Sequence, residues 1–152
     1  MESAERNLSL RPMLESDADA VVKIQRASPE IAQWTARDYA NLPRTGMTAW
    51  VAETEGVIAG FLVARRIAGE LEILNLAVRP DARRRGIGHA LIQFAFAWGK
   101  QLQAKNAHLE VRASNLVALE FYKRHQFQET GRRPLYYSNP VEDALVLTAH
   151  IS

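Results

Sequence analysis

Residues 71–102 constrain the fold of this chain more than any other stretch. Leu71, Ile73, Leu74, Leu76, Ala77 and Val78 form a nearly continuous apolar run that stops at Pro80, the pattern of a buried strand. From Ile87 the period changes. Ile87, Leu91, Phe94, Ala95, Trp98 and Leu102 recur at helical spacing and predict one buried stripe. The junction reads Arg83-Arg84-Arg85-Gly86-Ile87-Gly88-His89-Ala90. A strand that feeds a helix in this way leaves backbone N–H groups unpaired at the positive end of the helix dipole, and two glycines let an anion approach them. The third glycine of a dinucleotide fingerprint and the Gly-Lys-Ser/Thr ending of a P-loop are both missing, so neither of those sites is supported. By itself the motif reads as a turn beside a solvated arginine run; residues elsewhere change that reading.

A chain of 152 residues with 47% hydrophobic content suits one globular domain over residues 1–152. No stretch is long and apolar enough to span a membrane, and the start lacks the basic and apolar regions of a secretory signal, so a cytoplasmic location away from membranes is expected. The absence of cysteine excludes a disulfide framework, a thiolate metal site and a cysteine nucleophile. The histidines at 89, 108, 125 and 150 show no metal-ligand spacing, and no metal is expected. With a net charge of +2, and basic clusters at Arg83 to Arg85 and Arg132-Arg133 that lack interleaved aromatics, direct nucleic-acid binding is not expected.

The order of patterns predicts an α/β (α+β) domain with a mixed sheet. Leu8 to Pro12 reads as a strand. Ser16 is a plausible N-cap for a helix with Ala20, Val21, Ile24 and Ala27 on one side, and a second helix is expected over Thr35 to Asn41. Strands follow at Thr48 to Thr54 and Val57 to Arg66, separated by the hairpin signal Glu55-Gly56. Beyond the long helix come a strand at His108 to Arg112 and a helix at Asn115 to Arg124. Two more strands, Gln126 to Arg132 and Asp143 to Ile151, are joined by a loop holding Pro134, Tyr136, Tyr137, Asn139 and Pro140.

Arg83-x-x-Gly86-x-Gly88-x-Ala90, preceded by Asn75-Leu76-Ala77-Val78-x-Pro80, resembles the acetyl-CoA signature of the GCN5-related N-acetyltransferase (GNAT) superfamily. Leu109-Glu110-Val111-Arg112-Ala113-Ser114-Asn115, with Ala118, Phe121-Tyr122 and Phe127, is similar to the later half of that fold. The LEVRASN run, Arg132-Arg133-x-x-Tyr136-Tyr137, Glu142-Asp143-Ala144 and the Trp34-Thr35 pair resemble the RimI type, the ribosomal-protein-alanine N-acetyltransferases. One departure is visible: Gln126-Phe127 stands where the family usually has Gly-Phe, so that turn must manage without glycine.

The resemblance implies a central, mostly antiparallel twisted sheet of about seven strands flanked by four helices. It also implies direct acetyl transfer from acetyl-CoA to an amine. A protein α-amino group has a pKa of roughly 7.7 to 8.0, so a modest base suffices. In this reading Glu110, on the polar side of its strand, is the general base, and Tyr122 donates a proton to the leaving thiolate. From the residues alone, Glu110 reads as a strand-face glutamate paired with Arg112 or another arginine, and Tyr122 as a core aromatic beside Phe121; the resemblance reverses both readings.

Cofactor contacts implied by the resemblance are Leu76, Ala77 and Val78 on the strand, then Arg83, Arg84, Arg85, Gly86, Ile87, Gly88 and His89 at the helix start, with Asn115 and Tyr122 seven apart on one helix face. As a bare residue, His89 reads as solvent-facing. Trp34, Tyr136, Tyr137 and Glu142, with Asp143 beside it, are expected to border a groove for the N-terminus of a ribosomal or other protein, and the enzyme is expected to be a monomer or weak dimer. The alternatives are a lysine side chain or small-molecule amine as acceptor, or a non-catalytic acyl-CoA-binding subunit.

Overall fold

The computed structural model describes residues 7–152. Its elements are β1 (Leu8–Pro12), α1 (Ala18–Arg26), α2 (Ala36–Ala40), β2 (Thr48–Thr54), β3 (Val57–Ile67), β4 (Glu70–Val78), α3 (Ile87–Gln101), β5 (Asn106–Arg112), α4 (Leu116–Arg124), β6 (Gln128–Tyr137) and β7 (Glu142–His150). The seven strands form one mixed, mostly antiparallel sheet in the order β1-β2-β3-β4-β5-β7-β6. The chain divides into two compact units, one holding residues up to Arg65 with Asn75–Ala95, the other Arg66–Leu74 with Phe96–Ser152.

In the first unit, β1 pairs antiparallel with β2 and β2 with β3. The β2–β3 turn sets Glu55 at φ 53 and Gly56 at φ 77, the left-handed pair that a two-residue hairpin matching strand twist requires. The entry to α1 differs from the sequence expectation. Ser16 lies inside a short 3-10 turn, Glu15–Asp17, capped by Leu14. Asp17 supplies the decisive carboxylate, accepting the Leu14 N–H at 2.7 Å while Arg11 grips it at 2.7 Å. The helix buries Ala18, Val21, Val22, Ile24 and Gln25, and leaves Ala20 and Ala27 exposed. Thr35 caps α2 as a reciprocal box: its Oγ1 accepts the Asp38 N–H at 3.1 Å, and Asp38 Oδ2 accepts the Thr35 N–H at 2.9 Å.

Strand β4 alternates strictly. Leu71, Ile73, Asn75 and Ala77 are buried, whereas Glu72, Leu74, Leu76 and Val78 are half-buried on the other face. Helix α3 buries Ile87, Leu91, Ile92, Ala95 and Gly99, and the predicted Phe94 and Leu102 lie outside that stripe, 37% and 36% exposed. The expected stripe was rotated because Ile92, not Phe94, faces inward. Gly60 on β3 brings the start of α3 close: a Cβ there would stand 3.0 Å from the Ala77 carbonyl oxygen and 3.3 Å from Ile87 Cγ2.

In the second unit, β4 runs parallel to β5, Leu71 opposite Ala107 and Glu72 opposite His108. β5 pairs antiparallel with β7 from Asn106 opposite His150 to Arg112 opposite Ala144. Strand β6 continues to Tyr137, so Tyr136 and Tyr137 are strand residues and not loop residues as expected. The β6–β7 register breaks between Arg133 and Tyr137 and resumes with Tyr137 opposite Glu142. Pro134 has no N–H to give, and the Leu135 N–H is taken by Asp143 Oδ1 at 2.9 Å, which explains why the ladder lapses and then recovers. Phe127, 1% exposed, anchors this unit with ring contacts to Phe96 and Tyr122.

Candidate active site

The glycine-rich junction begins where β4 ends at Val78 and the Arg79 N–H turns back to the Ala59 carbonyl at 2.7 Å. Arg84 and Gly86 occupy the left-handed region at φ 65 and φ 79. A Cβ at Gly86 would meet nothing within 4 Å, so the backbone conformation and not crowding asks for glycine there. α3 then opens with the Ala90 N–H on the Gly86 carbonyl at 2.9 Å and has no acidic side chain in its first turn. The positive end of a 15-residue helix thus stands behind an exposed loop.

The three arginines of that loop are not equivalent. Arg83 is spent on structure, its Nε donating to the Val78 carbonyl at 3.1 Å and its Nη2 to Ser28 Oγ at 2.8 Å. Arg84, Arg85 and His89 are exposed. Leu76 and Val78 share one face of β4, and Ala77 is buried on the other.

A buried polar network in the same unit holds the backbone at Ala32 and Trp34. Asn75 is 5% exposed, and its Nδ2 donates to the Tyr39 hydroxyl at 3.0 Å and to the Ala32 carbonyl at 3.2 Å. Tyr39 in turn donates to Gln25 Oε1. Gln25 clamps the Trp34 backbone, accepting from its N–H at 2.9 Å and donating to its carbonyl at 2.8 Å. Burial raises the Tyr39 phenol well above its ordinary value, which keeps it a donor. The Trp34 ring packs on Tyr39 with centroids 5.5 Å apart. Residue reading missed Gln25, Tyr39 and Asn75. The signal was a polar side chain at an inward position of an apolar strand, and another on the apolar face of a helix.

The second unit holds the candidate acid and base. Glu110 lies on β5 between the buried Leu109 and Val111. Its partner is Arg133 of β6, whose Nε stands 2.7 Å from Glu110 Oε2. Arg112 is occupied elsewhere: Nη1 reaches Glu142 Oε1 and the Pro140 carbonyl at 3.1 Å each, Nη2 reaches the Ser138 carbonyl at 3.2 Å, and Cζ stacks 4.4 Å over the Tyr137 ring. Burial, and next the nearby Glu110 carboxylate, push the Tyr137 phenol up to about 12.

Both acidic residues of the β6–β7 corner are neutralised locally. Glu142 accepts the Ser114 N–H at 2.9 Å, and that bond with the Arg112 pair holds its pKa below the ordinary range. Asp143 accepts from Leu135 and from Arg132 Nη1 at 2.8 Å, with the same direction of shift.

Tyr122 is buried on α4, with ring centroids 5.2 Å from Phe121 and 5.4 Å from Phe127. Burial drives its phenol pKa far up, so it is a proton donor and not a phenolate at any ordinary pH. Asn115 caps the helix, its Oδ1 accepting the Ala118 N–H at 3.2 Å. Gln126 closes the helix at φ 71, the position where glycine was missed. Among the described residues no group of three His, Cys, Asp or Glu side chains is placed to hold a metal ion, and no helix is long and apolar enough to cross a membrane.

A carboxylate paired with Arg133 through a buried oxygen that receives no directed hydrogen bond has the chemistry to accept a proton, a buried phenol held protonated has the chemistry to give one, and an exposed helix start has the chemistry to hold an anion. Residues 13–127 match the sequence profile of the Acetyltransferase (GNAT) family. The chain belongs to this family. A Bacillus subtilis (strain 168) relative, provisionally named a [ribosomal protein bS18]-alanine N-acetyltransferase, is 31% identical over 95% of this chain and 96% of its own length. The crystal structure of the ribosomal-protein-S18-alanine N-acetyltransferase from Escherichia coli superimposes with a TM-score of 0.82 at 26% identity, covering 95% of this chain and 94% of that one. Ard1 from Thermoplasma volcanium gives a TM-score of 0.87 at 27% identity over 96% and 99% of the two chains. This GNAT protein is therefore an acetyltransferase, and its similar relatives include enzymes named for an alanine of a ribosomal protein.

Proposed function

We propose that this enzyme moves acetyl from acetyl-CoA to the N-terminal α-amine of a protein, the alanine of ribosomal protein bS18 being its acceptor. The observation that carries the reading is Glu110 Oε2, a buried side-chain oxygen without a directed hydrogen bond on a strand that also carries the family-like LEVRASN run. Glu110 takes the proton from the acceptor ammonium, the freed nitrogen forms the new C–N bond at the thioester carbonyl, and the C–S bond breaks. Tyr122 protonates the departing sulfur and recovers its proton from the new amide nitrogen, which sheds its second N–H proton as the carbonyl re-forms. The enzyme needs no acyl intermediate of its own, and the chain has no cysteine to carry one.

The start of α3, with the backbone N–H groups of Arg85, Gly86, Ile87 and Gly88, fits the coenzyme's pyrophosphate: the helix end is positive, exposed and free of acidic side chains. Arg84 and Arg85 add charge, whereas Arg83 holds the loop to Ser28. Leu76, Val78 and Asn115 are assigned to the pantetheine arm. Trp34, Tyr136 and Tyr137 are assigned to the acceptor, and Glu142 serves it through the corner that it fixes.

The test is acetylation of a peptide with the bS18 N-terminal sequence beside a blocked-N-terminus lysine peptide and a polyamine, followed by mass spectrometry. Turnover on the alanine-first peptide that exceeds the others by about tenfold or more, and its loss with Glu110→Gln, is expected. Preference for lysine or polyamine would reassign the acceptor, and acetyl-CoA binding without turnover on any amine would leave a non-catalytic subunit. Gly88→Glu should cost more acetyl-CoA affinity than Arg84→Ala, since the backbone carries the contact.

A further inference from the structure

Arg133 and Glu110 make an unusual pair. Their Nε and Oε2 atoms are 2.7 Å apart, yet Oε2 is a buried oxygen that receives no directed hydrogen bond. The two facts agree if the guanidinium N–H points off the lone pair: Coulomb attraction needs only the distance, whereas a hydrogen bond also needs the angle. The oxygen is thus neutralised by charge and still open as an acceptor. At 2.7 Å, however, no water or amine nitrogen fits between the two groups. Whatever gives a proton to Oε2 along that approach must first take the place of the guanidinium.

Arg133 is built to leave and Glu110 to stay. The arginine side chain is 58% exposed and the glutamate 20%. Arg133 stands opposite Ala144 as the last paired residue before the β6–β7 register breaks, next to Pro134. Its Cζ already lies 5.4 Å from the Tyr136 ring centroid, within cation–π range, so the guanidinium keeps that partner when it lets go of Glu110. Arg112, the other guanidinium assigned to this region, is pinned by Ser138, Pro140 and Glu142 and cannot substitute.

We infer that Arg133 is the exchangeable counter-ion of Glu110. It neutralises the carboxylate in the free enzyme and yields Oε2 to the acceptor's ammonium, so acceptor binding exchanges one cation for another. Arg133 is then a specificity-determining residue. A cationic amine restores the charge balance that its entry disturbs, and a neutral acceptor leaves Glu110 without a counter-charge. This inference rests on the reading of Glu110 as the base.

Steady-state kinetics with the alanine-first peptide test it. Arg133→Ala removes the competitor and lowers the acceptor KM by roughly two- to fivefold, the scale of an exposed ion pair, with the KM for acetyl-CoA unchanged. Arg133→Lys, which keeps a competing cation, restores the wild-type acceptor KM. Calorimetric titration of the same peptide into Glu110→Gln, with and without Arg133→Ala, shows equal Kd values, because no carboxylate is left to compete for. An acceptor KM that is unchanged or higher in Arg133→Ala overturns the inference, as does an effect of Arg133→Ala that persists in the Glu110→Gln background. If Glu110→Gln alone retains the wild-type kcat, the base assignment fails, and that result is separate from the Arg133 readout.

Discussion

The side-chain amide of Gln25 brackets the backbone of Trp34, donating to its carbonyl at 2.8 Å and accepting from its N–H at 2.9 Å. A loop between two helices has no ladder to satisfy its peptide groups, so a glutamine 2% exposed in α1 does the work that a neighbouring strand would do. Gln25→Leu keeps the volume and deletes all three bonds, leaving the Trp34 backbone without its side-chain partner and the Tyr39 O–H without its acceptor. The expected cost is about 2 kcal/mol or more in urea unfolding. The acceptor KM should rise while the acetyl-CoA KM holds, which comparison of the two Michaelis constants checks.

Tyr122→Phe preserves the ring contacts with Phe121 and Phe127 and removes only the proton donor. A fall in kcat of roughly 100-fold is expected, without abolition, and thermal stability should change little. Because burial raises this phenol above its ordinary pKa of about 10, wild-type kcat should show no alkaline loss from Tyr122 below that pH. A stopped assay across pH 7 to about 10 reads it directly.

Asp17 links stability to pH. The Arg11 hydrogen bond, with help from the Leu14 N–H, lowers its folded pKa against the opposing effect of burial. A depressed carboxylate pKa contributes stability above the unfolded value of about 3.9, and that contribution is lost as pH falls through the folded value. Asp17→Asn should therefore destabilise the protein at pH 7, by about 1 to 3 kcal/mol. The difference between the two proteins should shrink below pH 4, as denaturant melts at several pH values will show.

Gln126 holds φ 71 at the end of α4, where a Cβ is penalised. Gln126→Gly relieves that penalty but adds freedom to the unfolded chain, so the net gain is about 0.5 to 1 kcal/mol. A small rise in melting temperature with unaltered kinetic constants is expected; a fall would mean that the Gln126 side chain makes up for its strain.

The sequence by itself determined the order and kind of the elements, the glycine-rich strand-to-helix junction and the family. These depend on local periodicity, turn residues and short motifs, all of which act over a few neighbouring positions. Thr35 at the head of α2, Glu55-Gly56 as a hairpin and Asn115 at the head of α4 were legible for that reason. Tertiary structure decided which partner each polar group takes, because those choices join residues far apart in the chain. Asp17 displaced Ser16 at the entry to α1 once Arg11 from β1 reached it. Asn75 met Tyr39 across 36 positions. Glu110 found Arg133 and not its neighbour Arg112, because Arg112 was claimed by the Ser138 to Glu142 corner. An ion pair depends on distance in space, and only the folded sheet sets that distance.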